Sequence, residues 1–359
     1  MSNTMTEPQK IRHIVEKCTR HERITRSEGE ILLNNADFLD LGRLAHNTRL
    51  SKHPDPTVTF VIDRNINYTD ICVSACKFCA FFKPPGDEKG YVISKADLHR
   101  KIEETIELGG TQILLQGGMN PDLELEYYVD LLKDIKSHFN IHVHGFSPPE
   151  IDYIAKKSDL SVAKTLSILQ EAGLDSVPGG GAEILCDDVR TQASPNKCTS
   201  DQWLDVMRQA HLLGMRTTAT MMFGHLETAG HILEHLDRLR ELQDDTHGFT
   251  AFIPWTFQPT NTQIKVKPRS AVEYLRVLAV SRIFLDNFDN IQASWVTQGD
   301  KIAQTALFYG ANDMGSTMIE ENVVASAGVR FMLPEKEIRR LIIKAGFQPR
   351  QRDCYYNLI

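Results

Sequence analysis

The chain has 359 residues, 42% hydrophobic and 24% charged, with a net charge of −7 at pH 7 and an isoelectric point near 6.0. This is the composition of a globular protein long enough for one large α/β barrel or two ordinary domains, and its acidic balance gives no footprint for nucleic acid or an anionic membrane. No stretch approaches the ~20 apolar residues that span a bilayer, and the polar start, Met1 to His21, has no apolar core of the secretory kind, so the expectation is a cytoplasmic protein with reduced thiols and neither a nucleic-acid nor a membrane partner.

Residues 1–55 read as a helical N-terminal cap. An apolar run, Thr57 to Ile62, reads as the first strand, and Cys72, Cys76 and Cys79 follow it with the spacing C-x3-C-x2-C. From there one rhythm repeats: an amphipathic helix, a Gly stop, a short β-rich run. Ser94 starts a helix that Gly109-Gly110 ends, and the strand Gln112 to Gln116 runs into Gly117-Gly118. A helix over Leu125 to Phe139 precedes a strand over Ile141 to Phe146, and Ser147-Pro148-Pro149-Glu150 reads as a rigid turn with a polar tip. The helix Ser161 to Ala172 stops at Gly173, and a strand to Val177 leads into Gly179-Gly180-Gly181-Ala182-Glu183. Thr199 caps a helix ending at Gly214, and the strand Arg216 to Phe223 ends at Gly224, His225 and Glu227. A helix over His231 to Leu242 leads to the strand Phe249 to Ile253. A helix over Ser270 to Phe288 leads to the strand Ile291 to Trp295, and one over Lys301 to Tyr309 leads to Ala311, with Asn312-Asp313 at the last strand end. A final helix, Glu335 to Ala345, follows Pro334.

Helices alternating with short buried strands imply parallel β/α units. About eight units suggest a closed or nearly closed barrel over 56–333, with 334–359 as a helix and tail packed on it. Active groups in such barrels gather where strands end, and the polar oddities above fall at those places.

Soft thiolate ligands select zinc, copper(I) or iron–sulfur clusters. Zinc usually takes paired C-x2-C knuckles, whereas Cys18, Cys186, Cys198 and Cys354 are scattered singly. Buried small thiols or a disulfide would be the bland alternatives. A 4Fe–4S cluster held by three cysteines keeps one iron open for a ligand, and fits the motif better. Arg190 suits a bidentate carboxylate contact or a helix surface. His142 and His144 alternate in period two and face one side. The aromatic–amide pairs Trp255/Gln258 and Trp295/Gln298 suit a ligand with an aryl ring and hydroxyls, or ordinary packing at a barrel rim.

The C-x3-C-x2-C loop with Phe78 before its last cysteine resembles the signature of the radical S-adenosylmethionine (SAM) superfamily. That resemblance implies a (β/α) barrel of the radical SAM type. It also implies one 4Fe–4S cluster on Cys72, Cys76 and Cys79, with SAM on its open iron. Phe78, Gln116, Gly117, Gly118 and Glu183 become candidates for holding SAM, while His225 and Asp313 become candidates for catalysis beside substrate. Within the superfamily, the stretches 71–82, 109–121, 144–150, 172–184, 217–227, 249–259 and 292–323 resemble the cyclic dehypoxanthinyl futalosine synthases of the futalosine route to menaquinone. The likeness implies hydrogen abstraction from C4′ of dehypoxanthine futalosine, closure of the carbon radical onto the tethered benzoate ring, and loss of one electron and one proton. It also implies an electron donor such as flavodoxin or ferredoxin. Aminofutalosine synthase and the deazaflavin (F0) synthase subunits share the cysteine loop and are the alternatives.

Overall fold

The structure, a computed structural model, describes residues 6–329 and 332–359; the first residues of the expected cap, and residues 330 and 331 of the expected barrel, lie outside it. Three helices open the chain: α1 (Glu7–Thr19), α2 (Arg26–Asn35) and α3 (Phe38–Lys52). β1 (Thr57–Val61) runs through Ile62 into β2 (Asp63–Asn67). After the cysteine segment come α4 (Lys95–Glu107), β3 (Gln112–Gln116), α5 (Leu125–His138), β4 (His142–Gly145), α6 (Pro148–Lys157), α7 (Val162–Ala172) and β5 (Ser176–Val177). The second half holds α8 (Asp187–Ala193), α9 (Ser200–Leu212), β6 (Arg216–Phe223), α10 (Ala229–Thr246), β7 (Phe249–Thr256), α11 (Ala271–Phe284), β8 (Asn290–Ile291), α12 (Trp295–Gln298), α13 (Asp300–Ala306) and β9 (Asp313–Ser316). α14 (Val323–Ser326), α15 (Glu335–Lys344) and β10 (Gln348–Gln351) end the chain.

Local sequence sets the helix starts. Ser94, Ser161, Thr199, Thr228 and Ser270 each accept the N–H three residues on, satisfying a donor that the helix itself leaves free. The N-terminal helices then dock on the outer ring, α2 against α10 and α3 against α11. Gly29 permits the first contact, since a Cβ there would lie 2.5 Å from the Leu233 side chain.

Strands β2 to β8 pair in chain order as a parallel sheet, and β9 pairs parallel with β1. A parallel bridge from Gln292 to Asp313 joins the β8 side to β9. Thr317 N–H then donates to Val61 O (2.9 Å) and Ile319 N–H to Asp63 O (3.1 Å), carrying the chain along β2. The sheet is thereby curled into a (β/α) barrel. β5 is short because Pro178 has no N–H to continue the ladder.

Several expectations are corrected. The first strand does not stop at Ile62: β2, with the sequence DRNIN, extends it and is buried throughout. Its polar residues Asp63 and Asn65 face the barrel lumen, so no apolar alternation advertises it. Ser147 to Glu150 is the capped start of α6, with Pro148 at the first helical position. The expected strand Ile291 to Trp295 shrinks to Asn290–Ile291, and Trp295 begins a helical turn. Asp313 opens β9 rather than closing the last strand, which puts it at the opposite end of the barrel from the cysteines.

That end is plugged by the C-terminus. β10 pairs parallel with β1 on the side away from β9, and Arg352 then enters the lumen. Its Nε and Nη2 donate to Asp313 Oδ2 and Oδ1 at 2.6 and 3.1 Å, and the Tyr356 ring lies 3.8 Å from the guanidinium. Asp313 is fully buried and also accepts Thr59 Oγ1–H and Gly315 N–H. Removing one partner of a buried pair strands the other charge, which costs about 3–5 kcal/mol. Arg352→Met should therefore lower unfolding stability in urea by roughly that amount, with Arg352→Met/Asp313→Asn recovering part of it. A loss below about 1 kcal/mol would show that the pair is not the floor's main tie.

Candidate active site

Two cavities share the barrel axis. The upper one, about 250 Å3, is lined by Cys72, Cys76 and Cys79 together with Phe78, Gln116, Gly117, Gly118 and Glu183. The lower one, about 270 Å3, fills the lumen between Asn65, Gln112, His144, Trp255, Trp295 and Arg352. Gln116, Gly180, Trp255, Val323 and Val324 line both, so the cavities meet at a seam.

The cysteine segment is a long excursion from β2, fixed at its backbone. Cys72 N–H donates to Lys83 O (2.9 Å), Val73 N–H to Met119 O (3.0 Å), Lys77 N–H to Ala193 O (2.9 Å) and Gln263 N–H to Lys77 O (2.8 Å). Ala75 sits in the left-handed region at φ 48° to complete the turn. Cys72 Sγ accepts from Ser74 N–H and Met119 N–H at 3.4 and 3.3 Å, and Ser74 Oγ lies 3.0 Å from Cys76 Sγ. Burial pushes the Cys76 thiol up to about 11 and raises Cys79 as well. Three thiols in C-x3-C-x2-C, with Cys72 Sγ accepting two backbone N–H groups, fit an iron–sulfur cluster that keeps one iron open.

Gly117 and Gly118 are required by the protein's own packing. A Cβ at Gly118 would lie 2.1 Å from Ile71 O, and one at Gly117 would lie 2.6 Å from the Tyr68 ring. The cysteine segment is thus pressed on the end of β3. Glu150 locks the contact: Oε1 accepts from Tyr68 Oη–H (2.7 Å) and Gly117 N–H (3.0 Å), and Oε2 accepts from Ser147 N–H (2.8 Å). Gln116 Nε2 packs against Gly180, where a Cβ would lie 2.4 Å away.

Glu183 is 8% exposed and held at φ 42°. Its Oε1 accepts from Lys197 Nζ at 3.0 Å, while Oε2 is buried without a hydrogen-bond partner. An orphaned carboxylate oxygen on a cavity wall can be satisfied by a ligand hydroxyl or ammonium. Arg190 does not reach a ligand; it donates to Ala182 O and to Cys198 O (2.7 Å) and so fixes the Gly179–Glu183 turn. Lys197 is half-buried, its ammonium 5.1 Å from the Phe78 ring centroid. Sequence reasoning passes over Lys197, because a lysine in a short Pro/Asn-containing turn carries no signal of burial.

His225 and Asp313 line neither cavity. The chain turns at Gly224 (φ 99°), so His225 lies behind the wall with Nε2 3.1 Å from Met222 O, Nδ1 3.6 Å from Glu227 and its ring edge-on to Phe257. His142 and His144 both contact Ser176 Oγ, at 2.7 and 2.6 Å, and burial lowers His144 to about 3, leaving it neutral. Gln298 is spent on Thr256 Oγ1 (2.6 Å), so it ties the wall and does not face a ligand. Asn65 Oδ1 and Gln112 Oε1 are buried acceptors without partners in the lower cavity.

A thiol loop at the strand-end mouth of a parallel barrel is the architecture of a radical SAM enzyme. Residues 66–239 match the model of the Radical SAM superfamily, and residues 246–359 that of the CofH/MqnC C-terminal region. The chain is 47% identical to the cyclic dehypoxanthine futalosine synthase of Halalkalibacterium halodurans over 96% of its own length and 94% of the relative's. It is 42% identical to the synthase of the same name from Streptomyces coelicolor, over 98% of this chain and 90% of that one. The 5-amino-6-(D-ribitylamino)uracil–L-tyrosine 4-hydroxyphenyl transferase of Methanococcoides burtonii is 40% identical, over 93% of this chain and 96% of the relative. Among solved structures, the FeFe-hydrogenase maturase HydG from Carboxydothermus hydrogenoformans superposes with a TM-score of 0.76 at 16% identity, covering 97% of this chain and 81% of that one. Methylornithine synthase (PylB) gives 0.72 at 18% identity, covering 94% and 97%. The chain belongs to the cyclic dehypoxanthine futalosine synthase family.

Glu150→Ala leaves the Tyr68 hydroxyl and the Gly117 N–H buried without acceptors, which should cost about 2 kcal/mol or more in urea unfolding. Glu150→Gln keeps one acceptor and should cost clearly less; equal stability of all three proteins would mean that the carboxylate does not pin the loop.

Proposed function

We propose that this chain is a radical SAM cyclase that converts dehypoxanthine futalosine to its cyclic form. Hydrogen would be taken from C4′ of the substrate by the 5′-deoxyadenosyl radical, that carbon would close onto the benzoate ring, and the ring radical would lose one electron to a one-electron acceptor and one proton to a base to regain aromaticity. What carries the reading is the seam: a three-thiol cavity with an orphaned carboxylate opens directly onto an aromatic-walled lumen cavity.

A 4Fe–4S cluster with SAM, when bound, supplies a 5′-deoxyadenosyl radical able to take hydrogen from an unactivated C–H bond. Cys72, Cys76 and Cys79 hold the cluster. Gln116, Gly117 and Gly118 frame SAM, Glu183 Oε2 accepts from its hydroxyls or ammonium, and the Phe78 ring with Lys197 closes the side. In the lumen, Trp255 and Trp295 flank the aryl ring, and Asn65 Oδ1 and Gln112 Oε1 take hydroxyl donors from the sugar. Val323 and Val324 shut the seam against water, which keeps a reactive carbon beside one C–H bond only. His225 and Asp313 act as positioning residues, the first behind the wall and the second under the floor. Residues 1–55, 56–333 and 334–359 serve as cap, catalytic barrel and plug. The partners are the small substrate and a one-electron donor such as flavodoxin or ferredoxin. Among the described residues no helix is long and apolar enough to cross a membrane; an iron–sulfur cluster on reduced thiols is suited to a cytoplasmic setting.

Anaerobic reconstitution with iron and sulfide should give broad visible absorption, and Cys76→Ala should lose both that absorption and turnover. Free 5′-deoxyadenosine should form one for one with product. Retention of its carbons in the product would assign the chain to the aminofutalosine-type adduct reaction instead.

A further inference from the structure

We propose that the face outside the cysteine segment is the docking surface for a strongly acidic one-electron carrier protein, with Lys77, Lys265 and Lys267 as its contacts. This rests on the cluster assignment above and adds the route by which an electron reaches it.

Three segments meet at this face. Lys77 N–H donates to Ala193 O, Gln263 N–H donates to Lys77 O, and Asn196 Nδ2 donates to Val73 O (3.4 Å), so residues 71–86, 189–200 and 257–269 form one backbone-bonded patch. None of these segments contains an aspartate or glutamate, although the chain carries 47 acidic residues against 40 basic ones. The stretch Gln263 to Lys267 is sorted by side: Ile264 and Val266 pack inward with Phe78, Met222 and Phe257. Gln263, Lys265 and Lys267 are exposed, as is Lys77 between the cluster thiols. Arg269 is engaged by Glu227 and Glu273, but among the described residues no carboxylate pairs with Lys77, Lys265 or Lys267. Lys265 is capped only by Thr262 O. These three lysines are therefore charges on this face that the fold leaves without a carboxylate partner among the described residues.

The physical need is specific. The whole chain carries −7, so an acidic carrier is repelled by most of its surface. Screening confines each lysine's field to about 10 Å at 0.1 M salt, so attraction survives only where the lysines cluster. Lys77 lies between Cys76 and Cys79 in the chain, and the Lys265–Lys267 stretch is bonded to it through Gln263 and packed on Phe78, so a carrier drawn to these lysines meets the protein at the cysteine loop and at a raised encounter rate. One electron passes, the carrier being oxidised by one equivalent and the cluster reduced by one; no bond forms or breaks.

The test uses the reconstituted holoenzyme and a strongly acidic reduced flavodoxin as the probe. Binding should weaken as salt rises. K77E/K265E/K267E should weaken it about tenfold or more at low salt and flatten the slope of log Kd against log salt. K265E/K267E, which leaves the cysteine loop untouched, should show most of that loss, while K10E/K301E/K344E on remote surfaces should bind as wild type. Titanium(III) citrate should reduce the cluster equally in every variant. Wild-type affinity and salt slope in both K77E/K265E/K267E and K265E/K267E would overturn the docking surface, as would equal competition by heparin or RNA at matched charge, which would mark a general polyanion patch. Failure of titanium(III) citrate to reduce any cluster would instead overturn the cluster assignment.

Discussion

The site depends on one contact: the cysteine segment lies on the end of β3 at a distance only glycine allows. Ile71 O occupies the space a Cβ would take at Gly118, and Tyr68 occupies that space at Gly117. Backbone bonds from Val73 to Met119 and from Gly118 to Thr69 fix the register of that contact. The three thiols gain their relation to the barrel axis from this backbone-on-backbone seating, since the loop itself contributes little regular structure. Glu150 is the second tie, and its buried carboxylate is affordable because four donors converge on it.

Charge in this site is balanced locally. Lys197, half-buried, and Arg190, buried, flank Glu183 with different tasks: Lys197 bonds Glu183 Oε1 and lies over Phe78, while Arg190 is taken up by backbone carbonyls. Glu183 Oε2 is thus left without a hydrogen bond, 3.8 Å from Arg190 Nη1. At the far end, Arg352 and Asp313 offset each other under the lumen, and Asp63 beside them accepts from Gln112 Nε2 and Ser316 Oγ.

Much of the barrel is legible in the sequence because its helices are capped by Ser or Thr and stopped by Gly, and its strands β3, β6 and β7 are apolar enough to read. The cysteine spacing is legible for a different reason, as a ligand set that few folds use. What is hidden is polar structure facing inward. β2 reads as loop because Asp63, Asn65 and Asn67 serve the lumen. β10 reads as tail because Gln348, Pro349 and Arg350 suit the edge of a sheet, where a proline is tolerated. Asp313 is misplaced by a shift in where β9 begins, and that small shift moves a carboxylate from the mouth to the floor. Arg190 is legible as a fork-shaped donor but its acceptors are not, since it binds the backbone carbonyls of Ala182 and Cys198 and not a ligand carboxylate, and Lys197 carries no pattern that marks its place beside Glu183.

The cover over the seam places its two valines on both cavities and ties its charges to protein partners. Glu320 is held by Lys101 and approached by Arg64 at 3.8 Å, both outside the lumen. Glu321 turns back to accept the N–H groups of Val323, Val324 and Ala325 at 3.0, 2.8 and 3.1 Å, which starts the single turn of α14. The valines are left facing both cavities. Arg64 is buried and Lys101 and Glu320 are partly buried at this tie, so the cover is anchored from outside the lumen by a small ion-pair network while its valines lie where the two cavities meet.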